Sequence, residues 1–273
     1  MTPVQNAARA APERARLSHH REHVMGTVVT IDVFGEADEV ARKELYVWVA
    51  RARAVLQRAD AIFSTWKEHS PINQLRRGEI TVAQAPPEVT AVLEACATAR
   101  SLSDGWFDPW AMPGGFDPTG YVKGWAAQRA LSALSMPGVT GGIVNAAGDV
   151  VASGCPGRGE PFRVAIVDPC DRRRFACVVE LVGGIATSGT YERGRHLIDP
   201  RTGQPAARAA SASVAGPDLG LADALATALA VAGPAGLAFI EPIEGYEGFV
   251  IGYDGSWQST TYFPFDPPRP VPR

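Results

Sequence analysis

The chain has 273 residues, 46% of them hydrophobic, with 26 Lys and Arg against 29 Asp and Glu for a net charge of −3. This length holds one large domain or two small ones, and the charge supplies no basic field for nucleic acid or an anionic membrane. Cys96, Cys155, Cys170 and Cys177 form no Cys-x-x-Cys pair, so no redox or zinc motif is present and nothing requires a disulfide.

Residues 1–23 are rich in Ala, Arg and Pro and contain no continuous apolar segment, so they read as a flexible tail and not as a secretory signal. His19, His20 and His23 fall in that tail and read as solvated rather than metal-binding. Alternation on Val29, Ile31 and Val33 predicts a strand over 27–35. Apolar residues from Leu45 to Phe63 recur at helical spacing and predict a long amphipathic helix over 36–63. A second helix, 87–102, carries Cys96 on its apolar face and stops at Asp104-Gly105. A loop-forming stretch follows, with Trp106, Phe107, Asp117 and Lys123, and it leads into a helix over 122–134. The exposed backbone of Gly120 near that helix start, with Lys123 beside it, suits an anion such as phosphate.

Short strands are predicted at 142–146, 149–153, 162–168 and 176–182. The glycines of 141–149 are not spaced as a dinucleotide fingerprint, and a strand rather than a helix follows them, so a tight turn is expected. The apolar run 178–185 reads as a buried strand ahead of a polar segment containing Thr187, Ser188, Gly189, His196, Ile198 and Asp199. Leu197 and Ile198 look anchored in a core, which would hold His196 and Asp199 at a fixed edge. A strand at 211–216, a helix at 218–231 capped by Asp218, and a hairpin around Asp254-Gly255 complete the pattern. Residues 264–273 are Pro-rich and read as an extended tail. No apolar run reads as long enough to cross a bilayer, and the expected address is cytoplasmic. Strands and helices mix without strict alternation, which predicts an α+β fold.

Asp223 and Thr227 lie four apart on one face of the last long helix, among small and apolar neighbours. A carboxylate buried there needs an Arg, a cluster of backbone amides or a metal. Carboxylate and hydroxyl form a hard oxygen set that suits Mg²⁺ better than Zn²⁺. Ordinary helix packing remains the alternative for this pair. Ser64-Thr65-Trp66-Lys67 fits the Ser-x-x-Lys pattern of serine acyl-enzymes, but the Ser follows a helix instead of starting one, and no Ser-Asp-Asn accompanies it.

Several of these segments, in order, resemble the ApbE family of flavin transferases. They are Met25-Gly26-Thr27, Phe63-Ser64-Thr65-Trp66, Gly105-Trp106-Phe107-Asp108-Pro109, Asp117 with Lys123-Gly124, Asn145-Ala146-Ala147-Gly148-Asp149, Thr187-Ser188-Gly189, His196-Leu197-Ile198-Asp199-Pro200-Arg201-Thr202-Gly203 and Ala222-Asp223-Ala224-Leu225-Ala226-Thr227. The resemblance implies one α+β domain over 24–263, with antiparallel-rich sheets and packed helices. It implies an enzyme that cuts FAD at its pyrophosphate and moves FMN to a Thr of an acceptor protein, with Mg²⁺. Asp223, Thr227 and the carbonyl of Gly120 would hold the metal, Lys123 would pair with phosphates, and His196 would be the base. Met25, Trp66, Gly105, Trp106, Phe107, Asp117 and Ile198 would hold FAD, with Thr187, Ser188 and Gly189 on the phosphate side. Pro118 and Tyr121 depart from the small residues usual between the Asp and the Lys. An FAD pyrophosphatase and a non-catalytic flavin-binding protein are the other readings.

Overall fold

The computed structural model describes residues 16–36, 39–134, 138–157, 159–189, 197–206 and 208–266, the side chains of 39–42 aside. Among them, eight strands form one antiparallel sheet in the order β1-β2-β3-β4-β7-β10-β11-β12. They are β1 (Arg16–Val24), β2 (Thr27–Gly35), β3 (Val139–Ala146), β4 (Asp149–Gly154), β7 (Gly184–Gly189), β10 (Ser211–Gly216), β11 (Glu247–Ile251) and β12 (Trp257–Ser259). Strands β5 (Phe162–Val167) and β6 (Phe175–Leu181) make a separate hairpin, and the two-residue strands β8 (Ile198–Asp199) and β9 (Gln204–Pro205) pair with each other. The α+β expectation holds.

Helices cover one face of the large sheet. They are α1 (Glu39–Phe63), α2 (Pro71–Arg76), α3 (Pro87–Leu102), α4 (Thr119–Ser132) and α5 (Leu219–Ala232), followed by the single turn α6 (Leu237–Ile240). Period-two alternation in β2 sends Val29, Ile31 and Val33 into the core beneath the helices, while Phe34 joins the opposite face. On that opposite face β5 and β6 cover a second core, built from Val150, Ile185, Phe249 and Ile251 of the sheet with Phe162, Ile166 and Val179 of the hairpin. α5 packs on β7 and β10 and alongside α4, and this double burial explains why it is apolar almost all round. Its N-cap is Asp218, whose carboxylate accepts from Leu221 N at 2.7 Å, as the sequence suggested.

Close backbone approach sets the α4–α5 contact. A Cβ on Gly124 would lie 2.3 Å from the carbonyl oxygen of Leu219, and one on Gly220 would lie 2.9 Å from the Tyr121 ring. The two helices can meet at this depth only because both crossing points lack side chains.

Four expectations need correction. The tail through His23 does not hold from Arg16 onward: β1 pairs with β2 along its length, and His19 Nδ1 sits 2.8 Å from the Asp32 carboxylate. The polar alternation of β1 is that of a strand at the sheet edge, where one flank faces water. The run 178–185 is not one strand, because the chain breaks at Val182 and Gly183 (φ +82°) and passes from the hairpin to the large sheet. The Pro-rich end is not a free tail from its first residue. Glu180 N donates to Pro264 O at 3.0 Å, and Phe265 packs on Phe249 and Phe263. Finally, one stretch, Leu219–Ile240, is long and apolar enough to span a bilayer by composition, with 72% of its most apolar window buried in the protein. It is the core helix α5 with the turn and short helix that follow it. All four cysteines are free, and burial pushes the Cys96 and Cys177 thiols up to about 12.

Candidate functional site

A cavity of about 440 Å³ opens where the first turn of α4, the middle of α5, the end of β7, the β3–β4 turn and the segments 106–117 and 197–198 converge. Its walls include Trp106, Phe107, Asp117, Gly120, Lys123, Thr187, Ser188, Gly189, Ile198, Asp223 and Thr227. Residues far apart in the chain thus meet here; the hydrogen bond between Gly124 and Asp223 joins positions 99 apart.

Lys123 is the electrostatic centre of the cavity. Its ammonium pairs with the carboxylate of Asp149 and lies 3.4 Å from Asp223 Oδ2. Asp149 is fully buried, and its other oxygen accepts from Thr187 N at 3.2 Å. Asp223 is 3% exposed and also accepts from Gly124 N at 3.3 Å. The requirement for a partner to Asp223 is therefore met by a lysine and a backbone amide. Two buried carboxylates around one cation leave net negative charge, and such a centre attracts a further cation.

The hydroxyl of Thr227 supplies the next donor. It lies 3.2 Å from Ser188 Oγ. Gly120 comes close beside it: a Cβ there would be 3.5 Å from Thr227 Oγ1 and 3.2 Å from the Phe107 ring. Among the described residues no group of three or more His, Cys, Asp and Glu suited to a metal occurs. Asp223, Thr227 and Gly120 instead offer one carboxylate, one hydroxyl and one backbone carbonyl. That all-oxygen set fits Mg²⁺, an ion that usually takes one or two carboxylates and completes its shell with water and phosphate oxygens.

Part of the wall is aromatic. Phe107 N donates to Ser103 Oγ at 3.1 Å, and Asp108 is held by Arg100 at 2.8 Å. The guanidinium carbons of Arg201 and Arg208 lie 3.6 Å and 4.8 Å from the centre of the Trp106 ring. Asp117 Oδ1 accepts from Thr119 N at 3.0 Å, which fixes the entry to α4. Tyr121 points into the α4–α5 contact, where burial pushes its phenol well above its ordinary range. Neither Tyr121 nor Pro118 lines the cavity, so neither side chain forms part of its walls.

Three expected residues lie outside the lining. Met25 (φ +54°) forms the β1–β2 turn with Gly26. Gly105 (φ +74°) ends α3, its N–H donating to Arg100 O at 2.8 Å. Trp66 is 93% exposed on the loop after α1. His196 and residues 190–195 lie outside the described residues. Asp149 had no role assigned from the sequence, although an Asp followed directly by the apolar Val150-Val151-Ala152 opens a buried strand. Asp108, Pro109, Met112, Pro113, Thr119, Ala147 and Leu197 also join the lining.

A family model described as the ApbE family matches residues 25–114 and 112–250. Among similar sequences, the FAD:protein FMN transferase of Klebsiella pneumoniae is 32% identical over 158 residues, covering 52% of this chain and 45% of that protein. That of Rhodobacter capsulatus is 39% identical over 122 residues, covering 41% of this chain and 23% of that protein. The matched stretches thus span less than half the length of these relatives. Among solved structures, the apo flavinyl transferase ApbE of Pseudomonas stutzeri is 25% identical with a TM-score of 0.75, covering 89% of this chain and 94% of that one. The flavin transferase ApbE of Vibrio cholerae, 22% identical with a TM-score of 0.74 over 89% of this chain and 96% of that one, shares the fold.

Proposed function

This chain belongs to the ApbE family, and on that premise we propose that it is a magnesium-dependent FAD:protein FMN transferase. The observation that carries the reading is the meeting of Lys123, Asp223, Thr227 and Gly120 in a cavity that Trp106 and Phe107 also line. A dinucleotide of flavin and adenine needs both parts, charge for its pyrophosphate and flat apolar surface for its rings.

In this reading FAD lies with its rings along Trp106, Phe107 and Ile198 and its pyrophosphate toward Lys123. The hydroxyl oxygen of an acceptor Thr attacks the phosphorus of the FMN half. The bond from that phosphorus to the bridging oxygen breaks, and AMP leaves with the bond's electron pair. His196 takes the proton from the acceptor hydroxyl, a task imidazole suits near neutral pH. Lys123 and the backbone around Ser188 and Gly189 hold phosphate oxygens in place as charge builds on them. Asp223, Thr227 and the Gly120 carbonyl would hold Mg²⁺, which when bound neutralises pyrophosphate oxygens. Met25, Trp66 and Gly105 enter the flavin site on the resemblance alone.

The test is to incubate the chain with FAD and a Thr-bearing acceptor, with and without Mg²⁺, and to follow AMP release and acceptor-bound flavin. Magnesium-dependent formation of both, abolished by Asp223→Asn in a folded variant, is the expected result. AMP and free FMN without flavin on the acceptor would identify a hydrolase. FAD bound but intact under every condition would identify a binding protein.

A further inference from the structure

The cavity wall includes Met112 and Pro113, which precede two glycines, Gly114 (φ +81°) and Gly115 (φ +93°). Such a segment has little intrinsic stiffness, because Gly explores more backbone conformations than any other residue. Within the segment, Gly115 N donates to Met112 O at 3.0 Å. Its outer side is gripped by a residue far away in the chain and absent from the cavity lining. Arg76 Nε donates to Gly114 O and Arg76 Nη2 donates to Pro113 O, each at 2.8 Å. A Cβ on Gly114 would come within 2.5 Å of Arg76 Nη2, so a side chain there would have to displace the guanidinium.

Arg76 itself rests on a firm base. Its helix α2 starts with Pro71 behind the Ser70 cap, and Ile72, one turn before Arg76, is fully buried. Asn73 on the same helix donates through its amide to Thr65 O at 3.0 Å and Lys67 O at 2.9 Å, and its own oxygen lies 3.4 Å from Arg76 Nη1. One short helix therefore fastens both the Met112–Gly115 wall and the loop that carries Trp66.

We propose that Arg76, gripping the carbonyls of Pro113 and Gly114, is a positioning residue that sets the Met112–Pro113 part of the cavity wall and thereby its affinity for flavin dinucleotide. The proposal rests on the transferase reading for the identity of the ligand. Arg76 touches no reacting group, so it acts on binding and leaves the chemical step alone. A guanidinium presents two parallel N–H groups to two carbonyls, which an ammonium does not match in geometry.

The experiment measures FAD affinity by flavin fluorescence, steady-state constants and amide hydrogen exchange over residues 112–117, in the full chain and three variants. Arg76→Ala is expected to weaken FAD binding by about tenfold or more while leaving kcat at saturating FAD within about twofold. Arg76→Lys should fall between it and the wild type. Gly114→Ala should weaken binding similarly by pushing the guanidinium aside. Exchange over 112–117 should speed up in each single variant. Wild-type FAD affinity and wild-type exchange in folded Arg76→Ala would overturn the proposal. If Arg76→Ala does not fold, Arg76→Lys and Gly114→Ala decide the matter. If the wild-type chain binds no FAD, the transferase reading falls, and the exchange data then decide whether Arg76 holds the wall.

Discussion

At the scale of single residues, the site depends on Lys123 more than on any residue that would touch a metal. Its ammonium stands between the carboxylates of Asp149 and Asp223, both almost wholly removed from water. Removing one member of a buried ion set costs more than the set contributes, because the remaining charges keep their desolvation penalty. Lys123→Met should therefore lower stability by about 3 kcal/mol or more, visible as a drop in the thermal melting midpoint. Adding Asp149→Asn should recover part of the loss by removing one stranded charge. A double variant less stable than Lys123→Met would show that Asp149 stabilises the fold through Thr187 N rather than through Lys123. Lys123 was recognisable from its place at a helix start, as a cation suited to phosphate. Its second carboxylate was not, because Asp149 lies beyond a separate strand.

At the scale of elements, α4 and α5 bring Gly120, Lys123, Asp223 and Thr227 to one point, and the depth of their crossing decides whether these groups meet. Gly124 is the position where that depth is most exposed to change, with the Leu219 carbonyl 2.3 Å from where a Cβ would stand. Backbone cannot step aside as a flexible side chain can. Gly124→Ala should force the helices apart, destabilise the protein by about 1 to 3 kcal/mol and weaken magnesium-dependent turnover beyond what the lost stability explains. Calorimetry and AMP-release assays at a temperature well below the melt separate the two effects. Unchanged turnover in a destabilised Gly124→Ala would mean that the site tolerates a wider crossing. The helices themselves were legible: 87–102 matches α3 to the residue, and 36–63 and 218–231 match α1 and α5 to within a few residues. Their apolar stripes have helical period because each helix lies on a core. β1 was not legible, since a sheet-edge strand made largely of His, Arg and Glu looks like a solvated tail.

Across the whole molecule, the edge strand β1 is fastened to the helical layer through Glu22. Arg53 Nε and Gln57 Nε2 of α1 each donate to its carboxylate at 2.7 Å, and His20 Nε2 lies 3.0 Å away. The hydrogen bond from Arg53 does most to hold the Glu22 carboxyl down to about 2, followed by those of Gln57 and His20. A carboxylate with a lowered folded pKa contributes stability that is complete above its ordinary value of 4.5 and is lost as the pH falls toward about 2. Arg53 is partly exposed, so the contribution is about 1 to 2 kcal/mol. Denaturant melts at pH 5 and pH 3 should show the wild type losing more stability than Glu22→Gln over that interval. Equal losses would remove Glu22 from the acid sensitivity of the fold.

What the sequence determined by itself was the set of pieces: the α+β class, most strands and helices, and a run of short motifs whose order resembles one family. Burial is periodic, so local pattern reports which residues face a core, and turn residues report where the chain reverses. Only the tertiary structure decided how those pieces meet. It divided 178–185 between two sheets, aimed Tyr121 into a helix contact instead of the cavity, placed Met25, Gly105 and Trp66 off the cavity lining, and set Lys123 between Asp149 and Asp223. Such pairings join residues far apart along the chain, as Gly124 and Asp223 are. They follow from which faces can pack at close range, a property that no local stretch of sequence carries.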